Sequence, residues 1–134
     1  IRGAHEKDVY GQQMAAISNV LVDDAAIRDV AAYIENLDPG KPSPVLRGDA
    51  TRGQRHYTSC GACHGAKAQG NYALQAPALA GQDDWYLKRQ LEHFRSGIRG
   101  THEDDNYGHQ MVLMARSLQN EQSIDDLLAY LSGL

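Results

Sequence analysis

The sequence predicts an all-α fold, and three observations carry that expectation. Apolar residues recur at helical spacing in several separate stretches. No apolar–polar alternation of period two runs long enough for a sheet. One helical stretch is also written twice, so the end of the chain repeats its beginning.

The elements follow in order. Ile27, Val30, Ala31 and Ile34 fall on one face of a first helix. The stretch 38–48, DPGKPSPVLRG, then holds Pro39, Pro42 and Pro44. Proline lacks a backbone N–H and turns the preceding residue away from helix, so this reads as a semi-rigid linker. Asp49 can cap a short helix ending at about residue 59, with Gly53 and Tyr57 on one side. DDWYLKRQLEHFRSG, 83–97, opens with acids, closes with Gly97 and carries Leu87, Leu91 and Phe94 on one face. From Asn120 a last helix aligns Ile124, Leu127, Leu128 and Leu131.

Totals narrow the function. A chain of 134 residues holds one ordinary domain, or a small domain and a fragment. An apolar share of 42% is enough for a core. A net charge of −4 argues against nucleic acid as a partner, because phosphate neutralisation needs basic patches. No apolar run nears the roughly 20 residues that span a bilayer, so a soluble chain is expected. No secretory leader is read in this stretch, and the start at Ile1-Arg2-Gly3 is expected to be a processed, engineered or clipped terminus.

The chemistry concentrates in CGACH, 60–64. A Cys-x-x-Cys alone fits a redox dithiol, half a zinc site or a haem anchor, and His64 separates them. A redox dithiol follows a strand in a βαβ unit, and no strand is expected here. A closed zinc site needs four ligands, and there is no second cysteine pair. Two thiols on one helical turn can each form a thioether to a haem vinyl, with the next imidazole as an axial ligand. Cys60 and Cys63 are therefore the expected anchors and His64 the expected proximal ligand of one haem c.

The repeat bears on the other axial position. Arg2 to Leu37 aligns without a gap on Arg99 to Leu134, and about 15 of the 36 pairs are identical, which marks a duplicated unit. Methionine thioether is a common second ligand of haem iron in electron carriers. Met14 matches Met111, whereas Met114 matches Ile17. A ligand should persist in both copies while a packing residue varies, so Met111 is favoured. The other histidines are read as solvated or locally bonded, with His5 and His102 as braces of their duplicated loops. Trp85 and Tyr86 are read as core or haem-pocket walls, and the acids at 83–84 and 125–126 as helix N-terminal charge.

CGACHG with Gly70-Asn71, PALAGQ at 77–82, YLKRQLEHFRSGIRG at 86–100, and Met111 followed by Leu118 and a closing helix resemble a class I c-type cytochrome domain, specifically the repeats of the dihaem cytochrome c4 group. The resemblance covers 49–134 as a complete domain with the cytochrome c fold, helices packed around one covalently bound haem. It implies that Met111 ligates iron, that the Pro77 carbonyl accepts a hydrogen bond from His64 Nδ1, and that Leu79 packs on the haem edge. It also implies that Gly53 lets the first helix of the domain approach the last one near Tyr130.

Residues 1–37 match only the second half of such a domain, its methionine-bearing loop and closing helix, without a haem anchor. Either the chain is the C-terminal part of a longer dihaem protein, the preferred reading, or the first half was discarded. The stripe of Ile27, Val30 and Ile34 then needs a cover, and is expected to pack on the second domain or to pair with another copy in a homodimer.

The function implied is one-electron transfer on His/Met-ligated haem c, in the bacterial periplasm, between redox partner proteins, a membrane-bound oxidase or reductase among them, and without enzymatic chemistry of its own. Two alternatives stay open. One is a haem enzyme or sensor whose methionine is displaced; the other is a haem domain of an oxidase or dehydrogenase subunit.

Overall fold

Six α-helices follow one another in the computed structural model, which describes residues 2–38, 40 and 43–134. They are α1 (Val9–Ser18), α2 (Asp24–Glu35), α3 (Ala50–His64), α4 (Asp84–Ser96), α5 (Asn106–Arg116) and α6 (Glu121–Leu131). A 3-10 turn spans Tyr72–Leu74, and among the described residues strand pairing is limited to an isolated bridge between Asn71 and Ala76. No helix is long and apolar enough to cross a membrane among these residues.

Local chemistry sets where the helices begin. The side chains of Asp8, Asp23, Asp49, Asp105 and Asn120 each accept the N–H three residues on, satisfying a donor the helix start leaves open. Two helices were not expected. α1 and α5 each contain a glycine and mixed polar residues, and α5 is fixed by its Asp105 cap and by Val112 and Ala115 packed on Phe94. The methionine-bearing segment is thus a helix in both copies, not a loop. α3 also runs on past residue 59 through the whole CGACH stretch to His64.

The core forms where α3 crosses α6. Tyr57, Leu87, Leu118, Ile124, Leu127, Leu128 and Leu131 are buried together, with Ile124 and Leu128 at 0% exposure. The crossing is close because Gly53 has no side chain: a Cβ there would stand 1.9 Å from the Asp126 carbonyl oxygen.

Asp125 and Asp126 lie past the first turn of α6, unlike their reading as helix N-terminal charge, whereas Asp83 and Asp84 do stand at the start of α4. Asp126 is buried in the middle of α6, where it takes the Arg52 guanidinium at 2.6 Å and the Asp49 N–H at 2.8 Å. Its neighbour Asp125 pairs with Lys88 at 2.7 Å. Buried Asp84 accepts the N–H groups of Val45 and Leu46 at 2.8 and 2.7 Å, tying the end of the proline-rich stretch to α4. Residues 39, 41 and 42 of the expected linker lie outside the described residues.

The leading segment is docked at one end and open at the other. Asp8 is buried at 1% exposure and accepts from Gly3 and Gly11 N–H and from Arg2, which also donates to Gln90 of α4. The Arg89 guanidinium stacks between Tyr10, 4.3 Å from the ring centre, and Trp85, 4.8 Å away. Trp85 therefore lies at this seam, 46% exposed and outside the core, and Tyr86 beside it is 37% exposed. His93 is not solvated either: its ring is largely buried 3.8 Å from Asp8, and burial pulls it below the ordinary histidine value despite that carboxylate. α2, by contrast, has no buried residue.

Candidate functional site

Three of the expected site residues share the last turns of α3. Cys60 is half-buried, Cys63 is exposed, and the two form no disulfide. Burial pushes the Cys60 thiol up, so it is held as the neutral thiol. His64 ends the helix with 5% exposure.

The loop after α3 folds back to hold that histidine. Tyr57 donates its hydroxyl to the Gly65 carbonyl at 2.6 Å, fixing the helix end. The Gly70 N–H returns to the His64 carbonyl at 2.8 Å, and Leu79 and Ala80 N–H both reach the carbonyl of buried Ala68 at 2.8 and 3.1 Å. Gly70 sits at φ +84°, where a Cβ would meet the Ala78 nitrogen at 2.6 Å, so glycine is required for the two strands of the loop to pass. The loop delivers the Pro77 carbonyl to within 2.8 Å of His64 Nδ1. A carbonyl only accepts, so the hydrogen resides on Nδ1 and Nε2 keeps its lone pair. The ring is thereby oriented and set in the tautomer that a metal ligand needs.

The remaining site residues divide between two apolar clusters. Cys60 and Leu79 are half-buried against the α3–α6 core. Met111, on α5, is half-buried against Phe94, Val112 and Ala115. Leu91 touches both clusters. The structure thus brings Cys60, Cys63, His64 and Pro77 together and puts Met111 in the second cluster. Met14, its counterpart on α1, is 59% exposed.

This donor set fits a haem c. It offers two unbridged thiols on one helical turn, one oriented imidazole with a free Nε2, and a thioether on an apolar margin. It does not fit zinc: among the described residues, no three of His, Cys, Asp or Glu gather as a metal cage requires. The sequence reading named Pro77 and Leu79 but missed Ala68, at φ +53°, whose carbonyl accepts the N–H groups that close the loop.

Comparison with known proteins agrees with this chemistry. The family model for cytochrome c matches residues 50–134. Cytochrome c4 of Thiocapsa roseopersicina is 31% identical over 92% of this chain and 66% of its own length. Cytochrome c-554(547) of Halothiobacillus neapolitanus is 37% identical over 65% of this chain and 98% of its own. A solved cytochrome c4 from Acidithiobacillus ferrooxidans superposes with a TM-score of 0.73 at 26% identity, covering 93% of this chain and 73% of that one. This chain spans 29% and 41% of two further relatives, so it matches only part of several longer proteins.

Proposed function

Since the chain belongs to the cytochrome c family, we propose that Cys60 and Cys63 would anchor its haem c and that His64 and Met111 would hold the iron. The protein is an electron-transfer haem c protein of the class I type, and such cytochromes act with redox partners. When bound, haem c supplies an Fe(III)/Fe(II) couple that takes up and releases one electron.

The observation that carries this reading is the clamp on His64. The Pro77 carbonyl holds Nδ1–H at 2.8 Å, so Nε2 is left as a donor beside two free thiols. The clamp fixes the ring before any electron arrives, and a ligand that does not move between oxidation states keeps reorganisation small. Met111 supports the other axial position through its half-buried place beside Phe94 and its repetition as Met14. Leu79 would cover the haem edge from the opposite cluster.

We assign no enzymatic step to this site, and place the protein in the bacterial periplasm, where c-type haem is carried in the family it belongs to. Residues 1–37 read as the second half of a preceding repeat, the open face of α2 being the face that a first half-domain would cover in a longer dihaem chain. Without that half-domain, the same face would favour a homodimer.

The test is spectroscopic. The ferric far-red band of methionine-sulfur ligation should be present in the haem-loaded protein, and its ferrous form should not bind carbon monoxide. Met111→Ala should abolish the band and admit carbon monoxide, while Met114→Ala should do neither. A band that survives Met111→Ala would remove Met111 from the iron.

A further inference from the structure

Two loops of the molecule are copies of one another, and they face a single cleft. In 2–8 and 99–105, Gly3 and Gly100 take φ values of +77° and +81°. Asp8 and Asp105 donate their N–H groups to the carbonyls of His5 and His102, each at 2.9 Å. The Lys7 N–H donates to His5 Nδ1 at 3.1 Å, and the Asp104 N–H donates to His102 Nδ1 at 3.2 Å. Both imidazoles line a cleft of about 240 Å³ with Ala4, Ile98, Gly100 and Thr101.

The turns decide what those rings can offer. A backbone N–H only donates, so each Nδ1 holds a lone pair and each neutral ring carries its hydrogen on Nε2. A metal ion would need the reverse. It would take the lone pair of Nε2, place a hydrogen on Nδ1 against an N–H donor, and break both turns. Each neutral ring is thus left with one N–H donor, at Nε2, and both residues line the cleft. Thr101 adds no donor, because its hydroxyl already donates to the Gly97 carbonyl at 3.1 Å.

Charge points the same way. No carboxylate is among the residues lining the cleft, although the chain carries a net charge of −4. The nearest acid to either ring among the ion pairs is Asp104, 3.7 Å from His102 on the Nδ1 side, away from the donor atom. His102 is 37% exposed, so a small ion reaches it from solvent.

We propose that the cleft between the duplicated loops binds a small oxyanion, held by the Nε2–H groups of His5 and His102. The site is separate from the haem ligands, and its test does not depend on electron transfer.

The experiment uses the haem-loaded full chain in the ferrous state, with nitrogen-15-labelled histidines. Sodium sulfate is titrated at constant ionic strength against sodium chloride while the imidazole resonances are followed by NMR. The His5 and His102 rings should shift together and saturate, with His109, exposed on α5, as the unmoved control. His102→Asp keeps an acceptor for the Asp104 N–H but removes the donor, and should weaken sulfate binding by about tenfold or more. Equal shifts of all histidines, movement of one ring only, or unchanged affinity in His102→Asp would overturn the proposal. So would saturable capture of both rings by zinc chloride in place of sulfate.

Discussion

Residues 2–37 and 99–134 fold alike through the loop and its following helix, then part company at the helix that closes each unit. In the second copy α6 lies across α3, and Ile124, Leu127, Leu128 and Leu131 are 0%, 2%, 0% and 4% exposed. In the first copy the matching α2 leaves Ile27, Val30 and Ile34 at 50%, 41% and 59%. Both helices are capped by the same chemistry, Asp23 on the Ala26 N–H and Asn120 on the Ser123 N–H, both at 2.8 Å. Caps and an apolar stripe are therefore enough to specify a helix in this sequence. Whether that helix contributes to the core depends on a partner, and only α6 has α3.

Substitution at matched positions turns this contrast into numbers. Ile124→Ala should cost about 2–5 kcal/mol, the range for emptying a filled core position. Ile27→Ala should stay within about 0.5 kcal/mol, as a surface change does. Chemical denaturation of the haem-loaded chain reads both. Equal costs would mean that α2 is covered in solution, by another copy or by a further segment. Gly53→Ala comes next, at about 1–3 kcal/mol, because its Cβ would meet backbone that cannot turn aside.

A second pair of substitutions tests the polar half of the same crossing. Hydrogen bonds from the Arg52 guanidinium outweigh burial, and with the Asp49 N–H and Gln122 amide they hold Asp126 well below the usual carboxylate range. A carboxyl whose folded value is depressed adds stability that is fully present above the unfolded value, about 4, and is lost as pH falls toward the folded one. Asp126→Asn should therefore lower stability at neutral pH and flatten its decline below about pH 4. Asp29→Asn, the matched change on exposed α2, should stay within about 0.5 kcal/mol at neutral pH. Denaturation at neutral pH compares the two, and an acid titration of Asp126→Asn followed by circular dichroism checks the flattening.

The same crossing shows how far the sequence could be read. The stripe on α6, Gly53 opposite Tyr130, and the His64–Pro77 hydrogen bond were legible because they rest on spacing, on a missing Cβ and on an ordered family motif. The partners of Asp126 and Asp84 were not. An acid in a helix reads as surface charge until tertiary structure brings Arg52, or the Val45 and Leu46 N–H groups, to it. α5 was missed for a related reason: its apolar residues are selected by contact with Phe94, and its glycine and polar residues blur the period. The seam contact of Trp85 was not legible because nothing local shows that the Arg89 guanidinium lies over both it and Tyr10.

That arginine stack supplies the smallest and most local test, at the seam between the copies. Tyr10 is 57% exposed, and its contact with the Arg89 guanidinium 4.3 Å away is worth about 0.5–1 kcal/mol at such a site. A global unfolding curve would hardly register it, whereas amide exchange offers a reporter in each copy. The Gly11 N–H donates to buried Asp8 at 3.1 Å, and the matching Gly108 N–H donates to Asp105 at 2.8 Å. Tyr10→Ala should make the Gly11 amide exchange about two- to fivefold faster, since loosening α1 exposes it more often. The Gly108 amide should keep its rate, because α5 is held independently through Phe94. Acceleration of both amides would show that the seam and the haem domain open as one unit, and the two copies would then be energetically one body in spite of their unequal burial.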